Sequence, residues 1–152
     1  MAETHTSSRH RLQSTDLATE IEFLMARARA LGTSKANEQL AALNLKARSY
    51  AVLALACSDS RPSQRELAEF LSLDASQIVA LVDGLESRGL VVREPDTSDR
   101  RSNVIVGTPE GVALYERAVS VVSAAEGKSL GSLSETERDQ LRELLARVAF
   151  EG

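Results

Sequence analysis

Two adjacent arginines in a polar turn are the residues of this 152-residue sequence best suited to binding chemistry. Arg100 and Arg101 end the run Asp96-Thr97-Ser98-Asp99-Arg100-Arg101. A guanidinium group is always charged and is weakly hydrated, so it enters the narrow, electronegative minor groove of DNA at low cost. Asp99 beside it could hold it in position. A solvated charged turn would have the same residue types, and both interpretations stay open at this point.

A second group of polar residues lies on the outer face of a predicted helix. The run Asp74-Ala75-Ser76-Gln77 has the spacing of a helix-capping box. Stepping 100° per residue places Ser76, Gln77 and Ala80 away from the apolar face. Glutamine can bond adenine at two positions, and alanine can contact a thymine methyl group. Gln77 could equally serve only to cap the helix.

The elements around these residues predict a winged helix-turn-helix. Ser63 and Glu66 have capping-box spacing and open a short helix over 64–71, which two residues separate from the next cap. The second helix runs to about residue 87, and two strands follow over 90–93 and 103–107. The fold class is therefore mainly α with a small β-hairpin wing. Major-groove reading is expected from the second helix. Ser63, Gln64 and Arg93 complete the predicted set of DNA contacts.

Helices outside this unit carry more apolar surface than one small domain needs. A first helix is predicted over 14–31 and ends at Gly32, and another spans 46–57. A long helix begins at Thr108-Pro109-Glu110-Gly111, and a last one begins after Ser134. Packing against a symmetry mate would bury the surplus, and two-fold interfaces are the commonest kind. The alternative is that these helices fold back onto their own domain.

Composition limits the function in several ways. The chain is 43% hydrophobic and 26% charged, and it has no apolar run long enough for a membrane span. One cysteine and no signal-peptide core indicate a cytoplasmic protein. We expect residues 1–13 to form a disordered tail and 14–150 a single domain. The net charge of −4, and of −2 within 61–104, disfavours a general polyanion binder. We expect the acids to lie off any DNA-facing surface.

No pattern of residues in the sequence indicates an enzyme. The sequence has no nucleophile–base pairing, glycine-rich phosphate loop or Cys/His cluster. Its two histidines, His5 and His10, lie in the tail, where they would make a poor metal site. We therefore expect no catalytic activity, no cofactor and no bound metal.

Four motifs in order resemble the MarR (multiple antibiotic resistance regulator) family over about residues 14–150. They are Leu67-Ala68, the segment from Leu81-Val82-Asp83 through Gly89-Leu90-Val91, Asp99-Arg100-Arg101, and Thr108-Pro109-Glu110-Gly111. The resemblance implies a homodimeric, ligand-responsive repressor that binds an inverted repeat in double-stranded DNA. It also implies that Arg100 enters the minor groove and that Asp99 orients it. Gln77, Val79, Ala80 and Gly107 depart from the family pattern, so base preference cannot be transferred.

The resemblance further implies a small aromatic or anionic effector, held between the dimer helices and the DNA-binding lobe. Phe23 and Arg27 on the first helix, and Arg48 and Tyr50 on the second, are the residues expected to line that cleft. Either arginine would suit a carboxylate. Two other functions remain open. One is a winged-helix protein-interaction module that never binds DNA, and the other is a redox-sensing regulator acting through Cys57.

Overall fold

The computed structural model describes residues 10–151 of the chain and consists of helices with one β-hairpin. Short 3-10 turns at Asp16–Thr19 and Ala41–Leu43 flank the first long helix. The helices are α1 (Ile21–Leu40), α2 (Ala47–Ala56), α3 (Gln64–Leu71), α4 (Ala75–Ser87), α5 (Pro109–Ser129) and α6 (Glu135–Phe150), and the strands are β1 (Val91–Pro95) and β2 (Asn103–Gly107).

The predicted winged helix-turn-helix is confirmed. Helices α3 and α4 are joined by a turn in which Ser72 has a left-handed backbone, with φ of 52°. The antiparallel hairpin pairs Val91 with Gly107 and Pro95 with Asn103. On its other edge, β2 is bonded to the segment before α3, because Ile105 N donates to the Pro62 carbonyl at 2.8 Å. The wing is therefore attached to the start of α3 as well as to its own partner strand.

The core lies where α2, α4, α5 and the hairpin meet. Its members are fully or almost fully buried aliphatic side chains, including Leu40, Val52, Leu53, Leu67, Ile78, Val82, Leu85, Val91 and Ile105. The periodic face predicted for α4 is confirmed by Ile78, Val82 and Leu85, which are buried. This packing fixes which face of α4 remains outside.

The prediction that the first helix spans 14–31 and stops at Gly32 is wrong. Helix α1 begins at Ile21 and passes through Gly32 to Leu40. Glycine within a helix costs about 1 kcal/mol relative to alanine. Burial of Ala36 and Leu40 in the core offsets that cost and carries the helix further. Of the predicted tail, residues 10–13 are helical, whereas 1–9, including His5, lie outside the described residues.

A tight joint connects the hairpin to α5. Thr108 Oγ1 donates to the Gly89 carbonyl at 2.6 Å and accepts from Gly111 N at 3.0 Å, and Thr108 N donates to the Leu90 carbonyl. A Cβ placed on Gly111 would lie 1.9 Å from the Leu90 carbonyl oxygen. Only glycine fits at this position, because the backbone of α5 presses directly on that carbonyl.

Helix α6 is not buried by the rest of its own chain. None of its described residues is buried, and Leu144, Leu145, Val148 and Phe150 are exposed. On α1, Ile21, Leu24 and Leu31 are exposed as well. Among residues 10–151, no helix combines the length and apolar character that crossing a bilayer requires.

The Gly111 joint predicts an unusually large loss of stability. Gly111→Ala should lower the free energy of unfolding by more than about 4 kcal/mol, because a methyl group cannot occupy the space of a carbonyl oxygen. The matched control is Gly84→Ala, a helical glycine with nothing within 4 Å of the added Cβ. It should raise stability by about 0.5–1 kcal/mol. Urea denaturation measures the free energy of unfolding of both variants. Similar changes in the two would contradict the close contact between Gly111 and the Leu90 carbonyl.

Candidate nucleic-acid interface

The outer face of α4 presents small side chains near its N-terminal end. Ser76 and Ala80 are exposed, as the sequence predicts. Val79 lies beside them with 39% of its surface exposed. We did not predict a contact role for Val79, although an exposed β-branched residue on a reading helix suits a thymine methyl group. In the sequence, the position of Val79 one residue after the apolar-face residue Ile78 was the only indication that its side chain is exposed.

Gln77 caps α4. Its Oε1 accepts from the Asp74 backbone N–H at 3.1 Å, and the side chain is half-buried. In the free protein, Gln77 therefore acts as a capping residue. A two-bond contact with adenine needs the same oxygen. Reading by Gln77 would require this bond to break, whereas its amide nitrogen stays available for a single bond.

Three residues predicted to contact DNA line an open groove of about 430 Å³ between the start of α3 and the wing. They are Ser63, Gln64 and Arg93. Ser63 N–H and its hydroxyl both donate to Glu66 Oε2, and Ser63 Oγ accepts from Glu66 N. These bonds from Ser63 hold the pKa of the Glu66 carboxyl below its usual value. The predicted capping box at this helix is confirmed.

The wing tip is folded by its own carboxylates. Asp96 Oδ1 accepts from the backbone N–H and the hydroxyl of Ser98, at 2.8 and 2.9 Å. These bonds lower the pKa of Asp96. Asp99 Oδ1 accepts from the backbone N–H of Arg101 at 3.0 Å. Asp99 therefore shapes the turn, and no hydrogen bond or ion pair joins its carboxylate to the Arg100 side chain, which differs from the expectation that Asp99 orients Arg100.

The guanidinium groups of Arg100 and Arg101 are exposed at the end of the wing. Within the described part of the chain, neither has an ion-pair or hydrogen-bond partner. Other basic side chains of the lobe are engaged in ion pairs, since Arg61 bonds Glu94 at 2.7 Å and Arg65 bonds Glu69 at 2.8 Å. The tip thus holds two available cations next to each other.

Each of the three guanidinium nitrogens of Arg93 donates a hydrogen bond to the protein. Nη2 donates to Asp83 Oδ1 at 2.5 Å, Nη1 donates to Glu86, and Nε donates to Gln64 Oε1 at 3.0 Å. The hydrogen bond to Asp83 is the main cause of its raised pKa. Asp83 is exposed on α4 and paired with Arg93, and the expectation that the acids lie off any DNA-facing surface stays a prediction.

A second cleft lies between α1, α2 and the turn that joins α3 to α4. It has a volume of about 550 Å³ and is lined by Ala26, Arg29, Ala30, Thr33, Ala47, Arg48, Ala51, Leu71 and Leu73. Arg48 lies where the sequence predicts. None of the described lining residues is acidic, so two guanidinium groups and an aliphatic wall give the cleft a positive, apolar character.

The other three predicted effector residues do not line this cleft. Tyr50 packs against the core, where its ring centroid lies 5.9 Å from that of Tyr115 and burial raises its pKa. Phe23 and Arg27 lie on α1 but are not among the residues that line the cleft. Arg29, two residues after Arg27, is the arginine that sequence reasoning missed. The α1 periodicity alone did not show which side faces α2.

Cys57 packs against Gly107, one of the residues that depart from the family pattern. A Cβ on Gly107 would lie 2.5 Å from Cys57 Sγ, so glycine leaves the space that the sulfur occupies. Burial raises the pKa of the Cys57 thiol. A thiol held protonated is a poor nucleophile, and this environment does not favour a redox sensor at this residue.

The two roles of Gln77 can be separated by one substitution. Gln77→Glu keeps an oxygen for the Asp74 N–H and places negative charge in the first turn of α4, so thermal stability should be unchanged or slightly raised. A carboxylate cannot donate to adenine, so DNA selectivity should change at one or two base positions if Gln77 reads. Melting curves and binding to single-base DNA variants measure the two effects. Retained stability with unaltered base preference would show that Gln77 only caps.

Comparison with known proteins gives a consistent family. A model described as MarR family matches residues 43–102. The chain is 36% identical to the transcriptional regulator PecS of Dickeya dadantii over 68% of this chain and 64% of PecS. It is 27% identical to the transcriptional repressor NicR of Pseudomonas putida, over 88% of this chain and 84% of NicR. The match to PecS thus spans slightly less than two thirds of that relative.

A solved structure extends the likeness over almost the whole chain. The crystal structure of CouR from Rhodococcus jostii RHA1, bound to p-coumaroyl-CoA, has a TM-score of 0.81 and 41% identity to this chain. The likeness covers 91% of this chain and 98% of CouR. A crystal structure of a MarR-family transcriptional regulator from Rhodococcus sp. RHA1 is 40% identical to this chain, with a TM-score of 0.85 over 91% of this chain and 99% of that one. This likeness, with the family model, establishes that the chain belongs to the MarR family of transcriptional regulators.

Proposed function

We propose that this protein is a repressor that binds an inverted-repeat operator as a homodimer and releases it when an anionic aromatic ligand binds. The observation that carries the proposal is the pair of unpartnered guanidinium groups at the wing tip, Arg100 and Arg101. They extend from a hairpin that is bonded to the segment before α3 and, through Arg93, to Asp83 and Glu86 on α4. Such an arrangement suits simultaneous reading of a major groove and the adjacent minor groove.

The negative net charge does not oppose this proposal. Many carboxylates around the interface are bonded within the protein: Glu66 to Ser63, Asp83 and Glu86 to Arg93, and Asp96 and Asp99 to turn amides. A carboxylate with a bonded donor repels phosphate less than a free one does. Affinity for non-specific DNA should be modest, since few cations are available for phosphate contacts.

The exposed apolar surfaces support a homodimer. Val148 and Phe150 on α6 are 63% and 71% exposed, and Ile21 on α1 is 74% exposed. Exposed large apolar side chains on two helices are unfavourable in a monomer and support an interface there. A second copy of the chain is the simplest partner, because a two-fold interface brings the same helices of both copies together. Two reading helices then face the same side.

The cleft between α1 and α2 supports a negatively charged ligand with an apolar body. Arg29 and Arg48 can bind carboxylate or phosphate oxygens, and the alanine and leucine side chains can pack against a ring. CouR was solved with the aromatic thioester p-coumaroyl-CoA. Leu71 and Leu73 belong to the cleft and flank the turn between α3 and α4, so a ligand there would contact the DNA-reading unit directly.

Removal of the wing cation tests the DNA-binding proposal. Arg100→Ala should lower affinity for the chain's operator at least tenfold, about 1.4 kcal/mol, with little change in melting temperature. Arg100→Lys should restore part of the loss, because an ammonium is more strongly hydrated. Arg117→Ala, an exposed arginine on α5, is the charge-matched control and should bind normally. Fluorescence anisotropy at fixed salt measures this, and parental affinity for Arg100→Ala would refute the role of the wing.

Titration with p-coumaroyl-CoA and with p-coumarate tests the ligand proposal. Isothermal titration calorimetry should detect binding of at least one of these probes to the parent chain. Arg48→Ala should weaken it at least tenfold through loss of a charged hydrogen bond. Arg27→Ala is the control, since Arg27 lies outside the cleft. An equal effect of both substitutions, or no binding of either probe, would contradict the assignment.

A further inference from the structure

The guanidinium of Arg93 links three elements of the DNA-reading unit. Arg93 belongs to β1 and is opposite Ile105 in the hairpin register. Its partners Asp83 and Glu86 are three residues apart on α4, and its third partner, Gln64, is the first residue of α3. Glu86 also accepts from the Arg93 backbone N–H at 3.2 Å. One side chain thus joins the wing, the reading helix and the helix before it.

These bonds leave Arg93 poorly suited to contact a phosphate. All three guanidinium nitrogens donate to protein oxygens, and 24% of the side chain is exposed. Three of its five N–H donors are used, and a phosphate that took the other two would lie close to both carboxylates. Arg100 and Arg101 face no such competition. The sequence-based assignment of Arg93 to direct DNA contact therefore conflicts with how its side chain is used.

We propose that Arg93 is a positioning residue for DNA recognition, and this inference rests on the proposed DNA-binding function. Arg93 fixes the distance and angle between the wing and α4, so that the wing arginines and the outer face of α4 fit neighbouring grooves at one register. Among the described residues, each side-chain hydrogen bond between β1 and α4 involves Arg93. The bond between Ile105 N and the Pro62 carbonyl holds only the opposite strand.

The role of Arg93 should appear in selectivity and not in charge-driven affinity. If Arg93 bound a phosphate, its substitution would lower the steepness of log K against log salt by about 0.9. If Arg93 only positions the wing, its substitution leaves the number of released counterions unchanged. The substitution then lowers the ratio of operator affinity to non-specific affinity, because the wing and α4 no longer fit one DNA geometry.

Arg93→Met keeps the aliphatic stem and removes all three guanidinium bonds. Operator and scrambled duplexes are titrated with the parent and the variant between 50 and about 200 mM salt. We expect the selectivity ratio to fall at least tenfold and the salt slope to match that of the parent. Arg142→Met is the control, because Arg142 also bonds two acids, Asp139 and Glu126, but lies on α6. Its selectivity ratio should equal that of the parent.

A triple variant separates positioning from neutralisation of the two acids. Asp83→Asn, Glu86→Gln and Arg93→Met together remove the charges that the single substitution leaves unpaired. Positioning predicts that non-specific affinity recovers while selectivity stays low. Recovery of selectivity would show that Arg93 only neutralises the acids and would overturn the proposal. A slope reduced by about one, with selectivity retained, would show a phosphate contact and would overturn it as well.

Hydrogen exchange of the free protein tests, without DNA, whether the Arg93 bonds hold the wing in place. Removal of the Arg93 bonds should raise exchange of the β1 and β2 amides at least tenfold, with the core amides of α2 unchanged. Unchanged wing exchange would overturn the positioning role. If the parent chain does not prefer its operator over scrambled DNA, the proposed function fails, and the exchange result still decides whether Arg93 holds the wing.

Discussion

The contact between Gly111 and the Leu90 carbonyl determines how the two functional regions of this protein are joined. Leu90 follows the reading helix α4 and precedes the wing, whereas Gly111 lies in the first turn of α5. The missing side chain lets the two backbones touch, and the Thr108 hydroxyl bonds both sides of the joint. Any rotation of α5 therefore carries the end of α4 with it. Helix α5, which packs against α1, is in this way closely joined to the surface that we propose faces DNA.

Electrostatic pairing explains how an acidic lobe can present a cationic tip. Arg61, Arg65 and Arg93 are bonded to carboxylates, so their charges are largely cancelled locally. Turn amides hold Asp96 and Asp99. Arg100 and Arg101, which have no ion pair among the described residues, lie next to each other where the wing extends furthest. Placement, and not net charge, then determines the electrostatic interaction with a polyanion.

The parts of this fold that the sequence predicts well depend on neighbours close along the chain. Ser63 with Glu66, and Asp74 with Gln77, act over three residues, so the bounds of α3 and α4 follow directly. Gly32 could not be judged in this way, because the continuation of α1 depends on packing of Ala36 and Leu40 in the core. The partners of Arg93 are 7 to 29 residues distant. Arg27 and Arg29 differ by about 200° around their helix, and only the packed structure shows which of them faces the cleft.

In the proposed complex, two copies of the chain present α4 and the wing to a two-fold-symmetric site. Hydroxyl-radical footprinting on the DNA upstream of the chain's own gene tests this arrangement. We expect two equivalent protected half-sites whose centres lie about 10 base pairs apart, or a multiple of that spacing, related by inversion. Protection of a single asymmetric half-site would contradict it.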